Sequence, residues 1–333
     1  MRHRISQSPL LLGLLAIALH ASASERGPRE VILEPKGFES QARLLETPAE
    51  PRSRPSVIIR GSISLARSMT WYVRDVRFDP YGQVFLRGFS LTIDVAEDLT
   101  ATGSNVDPQI GGFPSNERAT DGRNGADGGP GGYPSGPGQA GTAAENGQNG
   151  QDAGSLTLRF TRQPKLITLR ISLAGQAGGN GGNGGSGGKG APGAKGETAA
   201  SGPFGCNHGG GNGGNGGRGG DGGTPGCGGA GGTGGTVYLS IQRDNAQQRR
   251  ENDTGLFARI LPNCVPGPGG KAGKNGVPGN QGLGGDPGAG GDGSGFCNGG
   301  RPGQPGEQGR PANQTACTPP DGATGRLLSG EAP

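Results

Sequence analysis

Glycine recurs in threes along this chain. Stepping by three from Gly175 to Gly235 meets glycine at 19 of 21 positions, with Ala199 and His208 the exceptions. Stepping from Gly267 to Gly309 meets it at 13 of 15, with Ser294 and Cys297 the exceptions. An earlier block keeps the phase only from Gly122 to Gly131. A flexible linker has no reason to hold such a phase. A left-handed extended helix does, because its three residues per turn line up every third residue along one edge. Glycine on that edge removes the Cβ and lets a second backbone come close.

Three states are compatible with the phase. They are a collagen triple helix, disorder, and a polyglycine II bundle in which one chain folds back so that its extended helices pack side by side. The triplets favour the bundle. Collagen requires one glycine per triplet and gains stiffness from proline. Of the eight triplets from Gly175 to Thr198, one contains proline and four carry a second glycine. A second bare edge suits a helix with neighbours on two sides, bonded through backbone N–H and C=O. In Gly210–Gly223 only Asn212, Asn215, Arg218 and Asp221 protrude, which predicts an outer segment with its polar edge in water. The third block, Gly270–Gly293, holds more proline and resembles the collagen-like repeats of bacterial surface proteins. The doubled-glycine blocks resemble polyglycine II proteins such as the disulfide-bonded springtail antifreeze proteins. Both resemblances are carried by the glycine blocks, less than half of the chain.

Of 76 glycines in 333 residues, only six precede residue 101. Hydrophobic residues make up 29% and aromatics 4%, too few to build one oily core around the whole chain. The apolar character gathers in residues 57–102. There SVIIRGSISL, MTWYVRDVRF, GQVFLRGF and SLTIDVAEDL form short β-branched or aromatic runs between turns. Leu91, Ile93 and Val95 alternate onto one face. Three strand–glycine block–strand units follow. They run from Phe89–Val95 to Ser155–Phe160, from Leu166–Leu173 to Thr236–Ile241, and from Leu256–Leu261 to Leu327 and Leu328. Leu166 to Leu256 and Cys227 to Cys317 both span 90 residues, which marks a degenerate repeat.

The expected fold is mainly β. A small β-sheet base carries three glycine-rich inserts folded as polyglycine II helical bundles, with no significant α-helix outside a signal peptide. The divisions are a signal peptide 1–23, a mobile polar leader 24–56, a β region 57–102, and glycine-rich units 103–160, 161–241 and 242–333. The alternative for the leader is one extended strand, Glu30–Leu33, docking on the β region.

The first 23 residues fit an export signal. Arg2 and Arg4 precede the apolar run Leu10–Leu19, too short to span a bilayer, and Ala21-Ser22-Ala23 supplies a small-residue cleavage pattern. Losing those two arginines lowers the formal charge from +4 to +2. No dense basic cluster invites nucleic acid, and no later apolar run predicts stable membrane insertion. In an exported chain the five cysteines read as disulfides, and none has the C-x-x-C spacing of a zinc site. Pairing within each block, Cys206 with Cys227 and Cys297 with Cys317, closes two loops of 21 and 20 residues. It leaves Cys264 unpaired or available to link chains.

Chemical motifs are weak. Gly184-Gly185-Ser186-Gly187-Gly188 matches G-x-S-x-G without the strand and helix that motif needs, and His208 is the one base left after signal cleavage. Gly216–Thr224 misses the calcium nonapeptide at Gly223. No catalytic residue, metal or cofactor is expected. The expected function is that of a non-enzymatic structural or adhesive protein, secreted, periplasmic or on the cell surface, that displays rigid lobes. The lobe tips, near Tyr133, Phe204 to His208 and Phe296 to Asn298, interrupt the glycine phase. They are the places expected to touch a surface polymer or another protein. Ice binding on a flat glycine layer and a collagen-like trimeric filament are the alternatives.

Overall fold

The computed structural model describes residues 29–333 apart from 104, 107, 162–163, 165–168, 242–263, 266–270, 272–273, 275–279, 314–316 and 330–333. The expected signal peptide and the run Leu256–Leu261 lie outside the described residues. After β1 (Glu30–Leu33), the chain winds as a coil with three parallel faces. The first turn is β2 (Ser56–Ile59), β3 (Ser62–Ser64) and β4 (Met69–Val73). The second is β5 (Asp75–Phe78), β6 (Gln83–Phe85) and β7 (Ser90–Val95), and the third is β8 (Leu99–Ala101), β9 (Ile110–Gly111) and β10 (Ser155–Phe160). Later come β11 (Ile171–Ser172), an antiparallel hairpin of β12 (Ala200–Gly202) and β13 (Gly205–His208), β14 (Thr236–Ile241), β15 (Cys264–Val265) and β16 (Leu327–Ser329). Three parallel sheets result, ordered β1-β2-β5-β8, β3-β6-β9-β11-β15 and β4-β7-β10-β14-β16.

The register places like on like. Met69, Leu91, Leu156, Val237 and Leu327 are successive cross-strand partners. So are Trp71, Ile93, Leu158 and Leu239, and so are Val73, Val95, Phe160 and Ile241. Alternation with period two turns these inward and leaves Thr70, Thr92 and Thr157 on the outer face. Trp71, Ile93, Leu158 and Phe160 are fully enclosed. Withdrawing each such side chain from water stabilises the coil by about 1.5–3 kcal/mol. The cohesion of the base resides in these columns.

The polar leader is a correction. From Glu30 on it is docked rather than free. β1 pairs in parallel with β2, as the alternative reading had it, and a short helix α1 (Phe38–Arg43) follows. Phe38 meets the edge of Trp71 at 6.3 Å, Leu33, Ala42 and Leu45 are fully buried, and the Tyr72 N–H donates to the Leu45 carbonyl. The cause is the open end of the coil. Trp71 and its column would otherwise face water, and Val31, Leu33, Phe38 and Leu45 are the apolar residues that cover them.

The glycine blocks all leave the coil at one corner. The first two turns cross from the second face to the third in a few residues, between β3 and β4 and between β6 and β7. In the next three turns that crossing is occupied by a glycine block: from β9 to β10, from β11 to β14 and from β15 to β16. Aligned strands therefore stack the three inserts, here termed lobes 1, 2 and 3. The strand leading into lobe 1 is β9 rather than the expected Phe89–Val95, since β7 belongs to the preceding turn.

Candidate functional site

Each lobe has an outgoing and a returning segment, and the backbone groups of neighbouring segments meet in steps of three. On the outgoing side, Gly122, Gly125, Gly128 and Gly131 of lobe 1 donate N–H bonds to the carbonyls of Asn180, Asn183, Ser186 and Lys189 of lobe 2. Gly187, Gly190, Gly193 and Gly196 of lobe 2 donate in turn to Asn280, Leu283, Asp286 and Ala289 of lobe 3. On the returning side, Gly138 and Gly141 donate to Arg218 and Asp221, and Gly213 and Gly216 donate to Arg301 and Gln304. Bonds from Gly182, Gly185 and Gly188 to Glu145, Thr142 and Gln139 join the two layers.

A single triplet shows the complete accounting. The Gly187 N–H goes sideways to Asn280, at 2.8 Å, and the Gly188 N–H goes across the layers to Gln139, also at 2.8 Å. The Ser186 N–H is taken by the Asp127 Oδ1 of lobe 1, at 2.6 Å. All three donors find partners although the segment is neither helix nor strand. The packing is correspondingly close. A Cβ added to Gly185 would lie 1.9 Å from the Ala126 carbonyl oxygen, and one added to Gly226 would lie 1.8 Å from that of Glu145. Doubled glycine is a steric requirement here.

Gly210–Gly223 is not the expected outer segment, since it bonds lobe 1 on one side and lobe 3 on the other, and its protruding residues do more than face water. Asn212, Asn215 and Asp221 accept the backbone N–H groups of Arg301, Gln304 and Arg310 through their Oδ1 atoms, at 3.0, 2.9 and 2.7 Å. Asp121 and Asn124 do the same for Asn180 and Asn183, and Asn146, Asn149 and Asp152 do it for Cys227, Ala230 and Thr233. These brackets escaped the sequence reading, although the recurrence of Asn or Asp as the third residue of a triplet is their signal. The Arg310 N–H, and then the Arg218 guanidinium, hold the Asp221 carboxyl below its ordinary range. Lys189 pairs with Asp286 at 2.9 Å, and Lys195 pairs with Asp292 at 2.8 Å.

The disulfides correct the expected pairing. Cys206 bonds to Cys297 and Cys227 to Cys317, with Cα atoms 5.0 and 5.5 Å apart. Pairing within a lobe fails on reach. Cys206 lies in the β12–β13 hairpin at the end of lobe 2, and Cys227 lies well back along the returning segment. Extended backbone advancing about 3.1 Å per residue separates them by roughly 60 Å. A bridge needs Cα atoms within about 7 Å. Stacked lobes bring equivalent cysteines together instead. The backbone of Cys264 sits in β15 opposite Ile171, and its side chain lies outside the described atoms.

The bridge at the hairpin assembles most of the proposed contact residues. Phe204 is fully exposed at the hairpin turn, and Phe296 is 75% exposed beside Cys297. His208 ends β13, with its Nδ1 within 3.2 Å of the Gly209 carbonyl. Asn298 accepts the Gly210 N–H through its carbonyl. Ser201 and Ser294 meet hydroxyl to hydroxyl, and the Cys297 Sγ contacts the Ala200 carbonyl. Tyr133, also exposed, is not brought to this tip. Lobe 1 turns earlier, where the Ser135 N–H reaches the Pro192 carbonyl and the Ser135 hydroxyl reaches that of Asn215.

No group of three or more His, Cys, Asp or Glu side chains that could hold a metal occurs among the described residues. Among the described residues, no helix is long and apolar enough to cross a membrane. No family model matches the chain. No curated protein matches it either. Among solved structures, the nine polyproline type II helical bundle springtail antifreeze protein from Granisotoma rainieri is 28% identical. That match covers 57% of this chain and 90% of that one, with a TM-score of 0.08.

Proposed function

We propose that this is an exported, non-enzymatic structural protein whose lobes form one polyglycine II-type bundle and hold an aromatic tip away from a coiled β base for adhesion. The observation that carries the reading is the tip itself: Phe204 and Phe296 stand exposed on two lobes that are tied together by Cys206 and Cys297. Exposed aromatic side chains on a rigid support are suited to contact, because little conformational freedom is lost when they are covered. The steps of three in the backbone ladder support the polyglycine II assignment. Two disulfides favour an oxidising, extracytoplasmic setting.

The partner in this reading is a surface polymer or protein of the producing cell's envelope. Purified protein is expected to sediment with isolated envelopes, and the double variant F204S/F296S is expected to lose that retention with its melting temperature unchanged. Equal retention of the two proteins overturns the tip as the contact site. Recovery of the full-length chain from the cytoplasm, unprocessed and reduced, overturns export.

A further inference from the structure

Among the described residues lobe 3 is the last in the lateral ladder, and the prolines of its returning segment sit where that ladder would continue. Within the returning layer, Gly213, Gly216, Gly219 and Gly222 of lobe 2 donate their N–H groups to the Arg301, Gln304, Glu307 and Arg310 carbonyls of lobe 3. The Asn and Asp brackets fix the offset between these two segments at 89 residues. At that offset the four donors correspond to Pro302, Pro305, Gln308 and Pro311. Three of the four have no N–H to give. The fourth, Gln308, is tied across the edge, where its side-chain oxygen accepts a bond from the Gln281 amide at 2.8 Å. On the outgoing layer, the 97-residue offset of Lys189 and Asp286 sets Gly284, Pro287, Gly290 and Gly293 opposite the donors Gly187, Gly190, Gly193 and Gly196, so proline interrupts that layer at one position and the proline row belongs to the returning layer. Pro287, Pro302, Pro305 and Pro311 are all exposed.

Steric closure points the same way. In lobe 2, a Cβ at Gly213 or Gly216 would come within 2.2 Å of the Gly288 or Gly285 carbonyl oxygen. Bare glycine at these sites is what admits the next outgoing segment. A proline ring in the same place on lobe 3 excludes one. An edge of unpaired backbone donors in a regular array is a template for another chain, as the edge of a β-sheet is.

We propose that the proline row of lobe 3 is a stop, which prevents a second copy of this chain from adding its own glycine segments to the bundle. The higher proline content of the third block is then the mark of an outer segment in a single-chain bundle. The inference rests on the ladder and not on the adhesive tip, so it stands or falls apart from that reading.

The test uses the full chain in three forms: unchanged, with P302G/P305G/P311G, and with P302A/P305A/P311A. The weight-average mass is followed by sedimentation as concentration rises. The glycine form, which regains both donors and space, is expected to climb toward the mass of two chains or more. The unchanged and alanine forms are expected to stay at one chain, since alanine restores the N–H but keeps the Cβ. Intact Cys206–Cys297 and Cys227–Cys317 bridges and an unchanged circular dichroism spectrum report folding. Should the triple glycine form lose that spectrum, P305G alone takes its place with the same expected rise. A glycine form that remains a single chain overturns the proposal. So does association of the unchanged protein, or association of the alanine form to the same extent.

Discussion

At the scale of single residues, the lobes sort glycines by what stands beside them. Gly185 has the Ala126 carbonyl oxygen 1.9 Å from where a Cβ would be, whereas Gly132 has nothing within 4 Å. Gly185→Ala is therefore expected to destabilise by about 3 kcal/mol or more, at the severe end for overpacking, and Gly132→Ala to be close to neutral. Chemical denaturation of the two variants checks the contrast, and equal effects would refute a closely packed lobe. The carboxylate brackets add a pH dependence. Asp221 has its folded pKa lowered, first by the Arg310 N–H it accepts and then by Arg218. A lowered carboxyl stabilises the fold fully above its ordinary pKa and loses that contribution as pH falls through the lowered value. The melting-temperature margin of the unchanged protein over Asp221→Ala is thus expected to be present near neutrality and to vanish on acidification. A margin that is constant with pH would count against the bracket.

At the scale of elements, the strand columns and the lobe bridges carry different loads. Ile93 is enclosed between Trp71 and Leu158 in register, so Ile93→Ala is expected to cost about 2–5 kcal/mol through lost transfer energy and a cavity. The bridges tie lobe 2 to lobe 3 across 91 and 90 residues of chain. In the chain-entropy account, loops of that size are worth about 4–5 kcal/mol each. Peptide mapping of the unreduced protein is expected to recover Cys206 with Cys297 and Cys227 with Cys317, and recovery of Cys206 with Cys227 would break the stacking argument. The sequence carried the clue to this pairing in its 90-residue repeat, which puts equivalent cysteines at equal depth in adjacent lobes. What it lacked was the knowledge that the units stack side by side, which depends on the parallel coil beneath them.

At the scale of the whole molecule, the arrangement separates two readings of a flat glycine array. The outer faces carry Lys189 and Lys195 paired with Asp286 and Asp292, and Arg218 beside Asp221. Fixed charges at these sites hold water around ions and interrupt any uniform small-residue surface. The protein is expected to give no appreciable thermal hysteresis, and a clear freezing-point gap in nanolitre osmometry would make ice binding the primary reading instead. The base also acquires a role that was not legible beforehand. It acts as an alignment frame, because each turn of the coil advances by one strand and delivers the next lobe against the last.

Local periodicity alone determined the part of this protein that repeats. Alternation marked β4, β7 and β10, and the three-residue glycine phase marked segments whose backbones lie close together. Both are short-range consequences of where a Cβ points. Tertiary structure alone decided which strand of the coil leads into each lobe, which cysteines meet, and that residues 30–45 cover the open end of the coil. It also decided that protruding Asn and Asp take up backbone donors of the next lobe, and that the prolines of the returning segment fall on the edge of lobe 3 away from lobe 2. Those outcomes depend on contacts from 26 residues apart, as Glu30 with Ser56, to 97 apart, as Lys189 with Asp286. No local pattern encodes such a separation until the coil has set the register.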